Sequence, residues 1–450
     1  MAYRFFLLPA CLAALLVSCT APTHLTPPGD EPATVSYGPE GTAARSRLKH
    51  VVIIVQENRT FDNFFHGFKG ATYATSGLSS SNAHVPLHAT SLRTNVNISH
   101  GWRDAMTAWD GGKMDGFNNL PLFNNTTANQ FPYAYVARQY IEPYWTMASR
   151  YVLADHMFPS MFGPSFTGHL DLIAGTTDLN PSAAEVDGPS AEPWGCDAPA
   201  GTSTLLLSPQ RHESNGPFPC FTQFRTLADS LDDAHVSWRY YAPSVSDPAN
   251  GGIWSSFDAI RGVRYGRDWA NVISPQTRVL TDAASGKLPG VAWVIPDALD
   301  SDHGSNDVGG PSWVSAVVNA IGRGPDWKST AIVIVWDDWG GWYDSVPPPP
   351  RDFRGLGIRV PCIIISPYAK WHYVSHTVYE FGSIVKLAEQ VFGLPPLGTR
   401  AEGYTDARAT SMLDVFNFNR NPRAFAPIPA PQPASYFLNR APSYRLPDDD

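Results

Sequence analysis

The sequence predicts an α/β fold built on a largely parallel central sheet. Four short apolar runs, Val51 to Val55, Val291 to Ile295, Ala331 to Trp336 and Pro361 to Ile365, are rich in Val and Ile and lack polar alternation. Such runs suit strands covered on both faces, as in a parallel sheet. Helical spacing falls between or after them, as in Trp313, Val314, Val317, Val318 and Ile321, and again in Ile384, Leu387 and Ala388. A buried helix segment could account for one such run, but four short runs bounded by turn residues read as strands.

Length and composition agree with a large enzyme-sized domain. At 450 residues the chain exceeds the roughly 250–300 residues at which a single core usually stops growing. Hydrophobic residues make up 43% and charged residues 16%, with 41 Pro and 36 Gly, so a core can be buried beneath many ordered loops. The balance of 32 Lys and Arg against 41 Asp and Glu gives a formal charge of −9, which opposes nonspecific binding to nucleic acid.

The ends differ from the middle. Arg4 precedes an apolar stretch from Phe5 to Val17, too short for an ordinary membrane span and suited to a signal h-region, so residues 1–19 read as an export signal. Its close, Leu16-Val17-Ser18-Cys19, resembles the lipobox of bacterial lipoproteins, which implies acylation of Cys19 and a membrane anchor; cleavage and release is the other outcome. Residues 20–48, rich in Pro, Thr, Gly and Ala, read as an unordered tether. Residues 49–420 read as one catalytic domain, and 421–450 as a Pro-rich tail that wraps the surface or stays loose. Cys196 and Cys220 are spaced across a loop-like stretch and could pair in an oxidising compartment, whereas Cys362 lies in an apolar run and reads as a buried hydrophobe.

In open α/β sheets ligands bind beyond the carboxyl ends of the strands. After the first run come Glu57 and Asn58, and after the third come Asp337 and Asp338, followed by two glycines. Carboxylates gathered from two strand ends repel one another unless a cation joins them, and Ca, Zn, Mg and Mn all accept such oxygens. The local alternatives are a helix cap near Thr60 and a tight turn at the glycines. Gly163-Pro164-Ser165 places a hydroxyl after a bend and before a helical pattern, where backbone N–H groups favour an anion. Ser165 is the candidate nucleophile, with an N-cap as its plain alternative and Thr167 as the competing hydroxyl. His303, which follows the second run closely, and His100 and His376 are candidate proton donors or further metal ligands.

Taken together, Glu57-Asn58-Arg59-Thr60-Phe61-Asp62, Gly163-Pro164-Ser165, Ser301-Asp302-His303, Trp336-Asp337-Asp338-Trp339-Gly340-Gly341-Trp342-Tyr343-Asp344 and Ser366-Pro367-Tyr368-Ala369 resemble the bacterial phosphoesterase family of phospholipases C and acid phosphatases. The resemblance spans roughly His50 to Phe418. It implies an alkaline-phosphatase-like three-layer sandwich, a divalent metal ion held by Glu57, Asn58, Asp337 and Asp338, and attack on phosphorus by Ser165 as a metal-bound hydroxyl. The substrate it implies is a phosphate ester, either a phospholipid or a soluble phosphomonoester. The chain departs from the family at Ser345, where members often carry His after the motif's aspartate. The insert from about Leu179 to Pro219, which contains Trp194, is the expected wall or lid. A noncatalytic surface lipoprotein holding structural calcium and a carbohydrate or protein partner is the competing class. A sulfatase-like hydrolase is disfavoured because the C/S-x-P-x-R arrangement is missing.

Overall fold

In a computed structural model of the chain, Met1 and residues 35–94, 96–245, 254–303 and 307–441 are described. The expected export signal, Cys19 and most of the expected tether lie outside those residues. Among the described residues no helix is long and apolar enough to cross a membrane.

The central sheet contains β1 (His50–Gln56), β2 (Val152–Phe158), β3 (Trp238–Tyr241), β4 (Val272–Ile273), β5 (Val291–Val294), β6 (Thr330–Trp336), β7 (Val360–Ile365), β8 (Tyr373–Ser375) and β9 (Tyr379–Glu380). Across the sheet the order is β4-β3-β5-β1-β6-β7-β2-β8, and β9 also pairs with β2. The four apolar runs all become strands, each buried on both faces. Three of them, β5, β1 and β6, lie side by side and parallel, with Ile53 level with both Trp293 and Val333.

The fourth run, β7, is antiparallel to both of its neighbours, β6 and β2. Composition reads burial and not direction. The direction follows from the connection, because the segment after β6 stays at the carboxyl end of the sheet, where Arg359 binds Asp344 at 2.9 Å and Asp62 at 3.0 Å. A chain that enters its next strand at the end where it left the last one must run back down. Strand β2 has no counterpart among the four runs, since Asp155 and His156 interrupt its apolar character.

Two groups of helices cover the sheet. In one, α1 (Gly38–Arg47) and α4 (Ser165–Ala174) both pack on α6 (Phe381–Phe392); in the other, α3 (Arg138–Arg150) packs on α5 (Gly309–Arg323). With strands buried on both faces between the two groups, the architecture is a three-layer α/β sandwich. Helix α5 carries the Trp313 to Ile321 pattern and α6 the Ile384 to Ala388 pattern, as their 3.6-residue spacing predicts.

Order begins earlier than the expected tether boundary at residue 48. Helix α1 is fixed by buried Ala44, by Leu48 just beyond it, and by the Tyr37 hydroxyl donating to the Leu394 carbonyl at 2.7 Å. A few anchoring contacts suffice where the helix itself has almost no apolar face. At the other end, residues 421–441 run over α5, with buried Ile428 and with Phe437 packed edge-on against Trp313 at 5.4 Å.

The Leu179 to Pro219 insert is tied down by a Cys196–Cys220 disulfide, and Cys362 is free and buried. It contributes to a small antiparallel sheet of Asp178–Asn180, Ala183–Glu185, Leu205–Leu207 and Glu213–Asn215. Glu185 is fully buried there, accepting from the Thr204 hydroxyl at 2.6 Å on one oxygen, with no hydrogen-bond partner among the described residues on the other.

Burial pushes the Glu185 carboxyl up from 4.5 to about 8. Its contribution to stability is thus fully present below 4.5 and lost as pH rises to about 8, because the unfolded chain gives up a proton that the folded chain keeps. Thermal unfolding followed across this window should show the native protein losing midpoint relative to Glu185→Gln, which keeps the shape without the charge. Parallel curves for the two proteins would contradict the buried-acid assignment.

Candidate active site

Parallel pairing of β1 with β6 puts Gln56 level with Trp336, so the residues that follow emerge together. The two turns are zipped to one another. The Asp337 N–H donates to the Gln56 carbonyl at 2.9 Å, and the Arg59 N–H to the Asp338 carbonyl at 3.1 Å. One oxygen of Asp337 accepts the backbone N–H groups of Asn58 at 3.0 Å and of Asp338 at 2.8 Å.

Both local alternatives are resolved in detail. Thr60, and not Asn58, caps α2 (Phe61–Phe65), its hydroxyl accepting from the Asn63 N–H at 3.2 Å. Asn58 instead adopts a left-handed backbone conformation, φ 61°, which turns its side chain into the site. The glycines do complete a turn: Gly340 has φ 59°, and a Cβ there would lie 2.2 Å from the Asn58 carbonyl oxygen.

Strand β2 points the same way as β6, so the segment leaving its carboxyl end delivers Ser165, at the start of α4, to the same edge. The Ser165 hydroxyl lies 3.2 Å from Asn58 Oδ1 and 3.2 Å from Asp338 Oδ2, and the residue is fully buried. Helix α4 approaches the second turn closely enough that a Cβ on Gly168 would sit 2.5 Å from the Asp337 carbonyl oxygen.

One helical turn beyond Ser165, His169 Nε2 is 3.0 Å from Glu57 Oε1 and 3.6 Å from Asp337 Oδ2. This residue is absent from the sequence-based candidates. Its signal was the i, i+4 spacing from Ser165, which puts both side chains on one face; every residue of α4 is buried, so periodicity alone does not single it out.

His100 and His303 arrive from loops and flank the Asn58 amide nitrogen at 2.8 and 2.6 Å. His100 Nδ1 is 2.6 Å from the Ile98 carbonyl, which fixes that nitrogen as the donor and turns Nε2 toward the site as the acceptor. His303 is held by the residue before it. Asp302 accepts from the Tyr144 hydroxyl at 2.6 Å and the Trp336 indole at 3.1 Å, while its N–H donates to Gln56 Oε1 at 2.9 Å.

Of the sequence-predicted residues, the structure brings together Glu57, Asn58, Asp337, Asp338, Ser165, His100 and His303. His376 is placed elsewhere. Its Nδ1 faces Asp155 at 2.9 Å in a separate group with His156, because the edge of the sheet breaks between β8 and β9 opposite these residues. Asp344 serves the framework through Arg359, and the Ser345 N–H donates to Asp62 at 2.9 Å, so the departure at Ser345 falls beside a buried ion pair.

The donor set fits a divalent cation. Ligand atoms of Glu57, His169 and Asp337 lie within 4.8 Å of one another, all buried, and among the described residues Asp337 Oδ2 has no hydrogen-bond partner. Buried carboxylates without compensating charge are costly, and a cation among them offsets that cost. Beside the cluster, a cleft of about 490 Å³ is lined by His100, Arg103, Asp104, Phe123, Pro164 and Asp187. Asp187 and the residues after it belong to the insert, which therefore forms one wall. Burial pushes the Asp187 carboxyl up to about 6.

A sequence model of the Phosphoesterase family matches residues 48–395. Phospholipase C A of Mycobacterium tuberculosis is 27% identical over 448 aligned residues, covering 84% of this chain and 79% of the relative. Non-hemolytic phospholipase C of Pseudomonas aeruginosa is 24% identical, covering 93% and 64%, and non-specific phospholipase C3 of Arabidopsis thaliana is 23% identical, covering 87% and 77%. The family match spans most of the chain and contains every residue of the buried cluster. This chain belongs to the Phosphoesterase family and is a hydrolase of phosphoric esters.

Proposed function

We propose that Ser165 is the nucleophile of a two-step phosphoester hydrolysis, carried out with a divalent cation held by Glu57, Asn58, Asp337, Asp338 and the Ser165 hydroxyl. The observation that supports this reading is the placement of the Ser165 hydroxyl 3.2 Å from both Asn58 Oδ1 and Asp338 Oδ2, at the N-terminus of a buried helix. When bound, the cation supplies positive charge that lowers the hydroxyl pKa and offsets charge on the phosphoryl oxygens. His169 supports Glu57 and Asp337, as a further ligand or as a neighbour that fixes them.

In the first step Ser165 Oγ passes its proton to Asp338 Oδ2, which it faces at 3.2 Å, and bonds to phosphorus, while the bond from phosphorus to the ester oxygen breaks. The departing alkoxide takes a proton from His303, while His100, whose Nε2 is an acceptor, holds the Asn58 amide in place. In the second step water gives a proton to His303 and attacks the phosphoserine, the bond from phosphorus to Ser165 breaks, and the Ser165 oxygen regains its proton from Asp338. Backbone N–H groups at the start of α4 favour the anionic phosphoryl group throughout. His376, bound to Asp155, takes no step in this scheme.

The substrate proposed is a phospholipid or related phosphodiester, the chemistry named for the relatives, with soluble phosphomonoesters as a second class. The carboxylates of Asp104 and Asp187 in the cleft suit a cationic headgroup. Export, and a lipid anchor at Cys19, are proposed from the sequence alone.

Replacing Ser165 with Ala should lower turnover by at least about 10³-fold on p-nitrophenyl phosphate or p-nitrophenyl phosphorylcholine, with bound metal and fold retained. Activity within tenfold of the native protein would reject Ser165. Elemental analysis should show Asp338→Asn losing metal; stoichiometric metal after that change would overturn the ligand set. Since Asp187 ionises at about 6, preference for the phosphorylcholine ester over the uncharged-headgroup ester p-nitrophenyl methyl phosphate should grow from pH 5 to 7, where the carboxylate forms. A flat ratio across that range, or one unchanged in Asp187→Asn, would remove Asp187 from headgroup selection.

A further inference from the structure

The end of the sheet opposite the active site has a different chemical character. Strands β1, β2 and β6 begin there, at His50, Val152 and Thr330. Antiparallel β7 finishes there, with Ile365 level with Ile332, so Lys370, Trp371 and His372 emerge at this end and not beside Ser165. Arg47 and Lys49 lie just before β1, and Arg150 just before β2. Arg423 joins them, its backbone N–H donating to the Pro367 carbonyl at 3.1 Å and its guanidinium to the Arg150 carbonyl at 3.1 Å.

At the centre of this face Trp371 is 53% exposed, although most tryptophans of the chain are buried. The guanidiniums of Arg420 and Arg423 lie 5.3 and 5.0 Å from its ring centroid, and Lys370 Nζ lies 4.4 Å from the centroid of Tyr373. Among the described residues, none of Arg47, Lys49, Arg150, Lys370, Arg420 and Arg423 forms an ion pair with a carboxylate, although acidic residues outnumber basic ones in the whole chain. Of the acids at this end, Asp326 faces His50 at 3.9 Å, Asp282 pairs with Arg239 at 2.6 Å, and Asp232 accepts from the Trp238 indole at 3.0 Å. Burial, with a smaller contribution from the charge of Arg420, holds Arg423 below the ordinary arginine range.

We infer that this basic, tryptophan-centred face docks on an anionic phospholipid surface. Unpaired Lys and Arg are drawn to the negative potential of such a surface within a Debye length, and an indole ring settles at the headgroup level. Nucleic acid is the other polyanion of this chemistry. It is disfavoured because the Trp371 ring already carries two guanidiniums, which compete with a stacking base. Docked in this way, the chain turns the Ser165 end of the sheet, about 23 Å away for a seven-residue strand such as β1, toward esters on the other side, so the lipid surface it sits on is an anchor and not the substrate.

The test is sedimentation of the full chain with phosphatidylcholine vesicles, with and without roughly a third of phosphatidylglycerol, at about 0.1 M and about 1 M salt. The protein carries Ser165→Ala so that lipid is not consumed. Binding should require the anionic lipid and be lost at high salt. The Lys370→Gln/Arg420→Gln double variant should bind roughly 30-fold more weakly at low salt, and Trp371→Ala should also weaken binding, with thermal unfolding midpoints unchanged. Equal binding to neutral vesicles, or undiminished binding by both variants, overturns the proposal. Tighter binding to a short DNA duplex than to anionic vesicles, lost in the double variant, would reassign the face to nucleic acid and overturn it as well.

Discussion

The active site depends on the parallel pairing of β1 with β6. That ladder sets Gln56 opposite Trp336, and Glu57, Asn58, Asp337 and Asp338 follow within two residues of this level. A slip of one residue would turn every side chain of one strand to the other face of the sheet. Glu57 and Asn58 would then no longer meet Asp337 and Asp338. The ladder is held by apolar side chains buried on both faces, so the energy that fixes the site is supplied by a core containing none of its reactive groups.

The price of this arrangement is the burial of several carboxylates at one edge. Backbone donors meet part of it: Asp337 accepts two N–H groups, and Asp338 accepts that of Gly340 at 2.7 Å. The histidines meet another part, and the remainder is what a cation would supply. Each reactive side chain is in turn fixed by a neighbour. Asn58 is set by its left-handed backbone, His100 by the Ile98 carbonyl, and His303 by the bonds of Asp302 to Tyr144, Trp336 and Gln56. Such support is what keeps a hydroxyl and its acceptors within fractions of an ångström of a working geometry.

Much of this was legible in the amino-acid order because the relevant signals are local. Runs of Val and Ile reported burial on both faces, the turns after two of them reported acidic strand ends, and Gly163-Pro164-Ser165 reported a hydroxyl at a helix start. What could not be read is set by contacts distant in sequence. The direction of β7 depends on where Arg359 finds Asp62 and Asp344. Strand β2 is masked by Asp155 and His156, which the fold uses to bind His376. His169 hides in a helix buried on every side, where spacing carries no information about which face matters. Helix α1 has too little apolar character to declare itself and is ordered by what Tyr37, Ala44 and Leu48 touch.

The close approach at Gly168 has a further consequence for how such a chain can diverge. The clearance between the helix that carries the hydroxyl and the turn that carries two of the carboxylates is narrower than a single methyl group. The insert that walls the cleft can lengthen, shorten or change its lining and so adapt to new esters, since it hangs on its own small sheet and disulfide. Position 168 has no such latitude: a larger residue there must be accompanied by a shift of the facing turn. Descendants of this sequence can therefore drift freely in what they bind while remaining confined in how they cleave it.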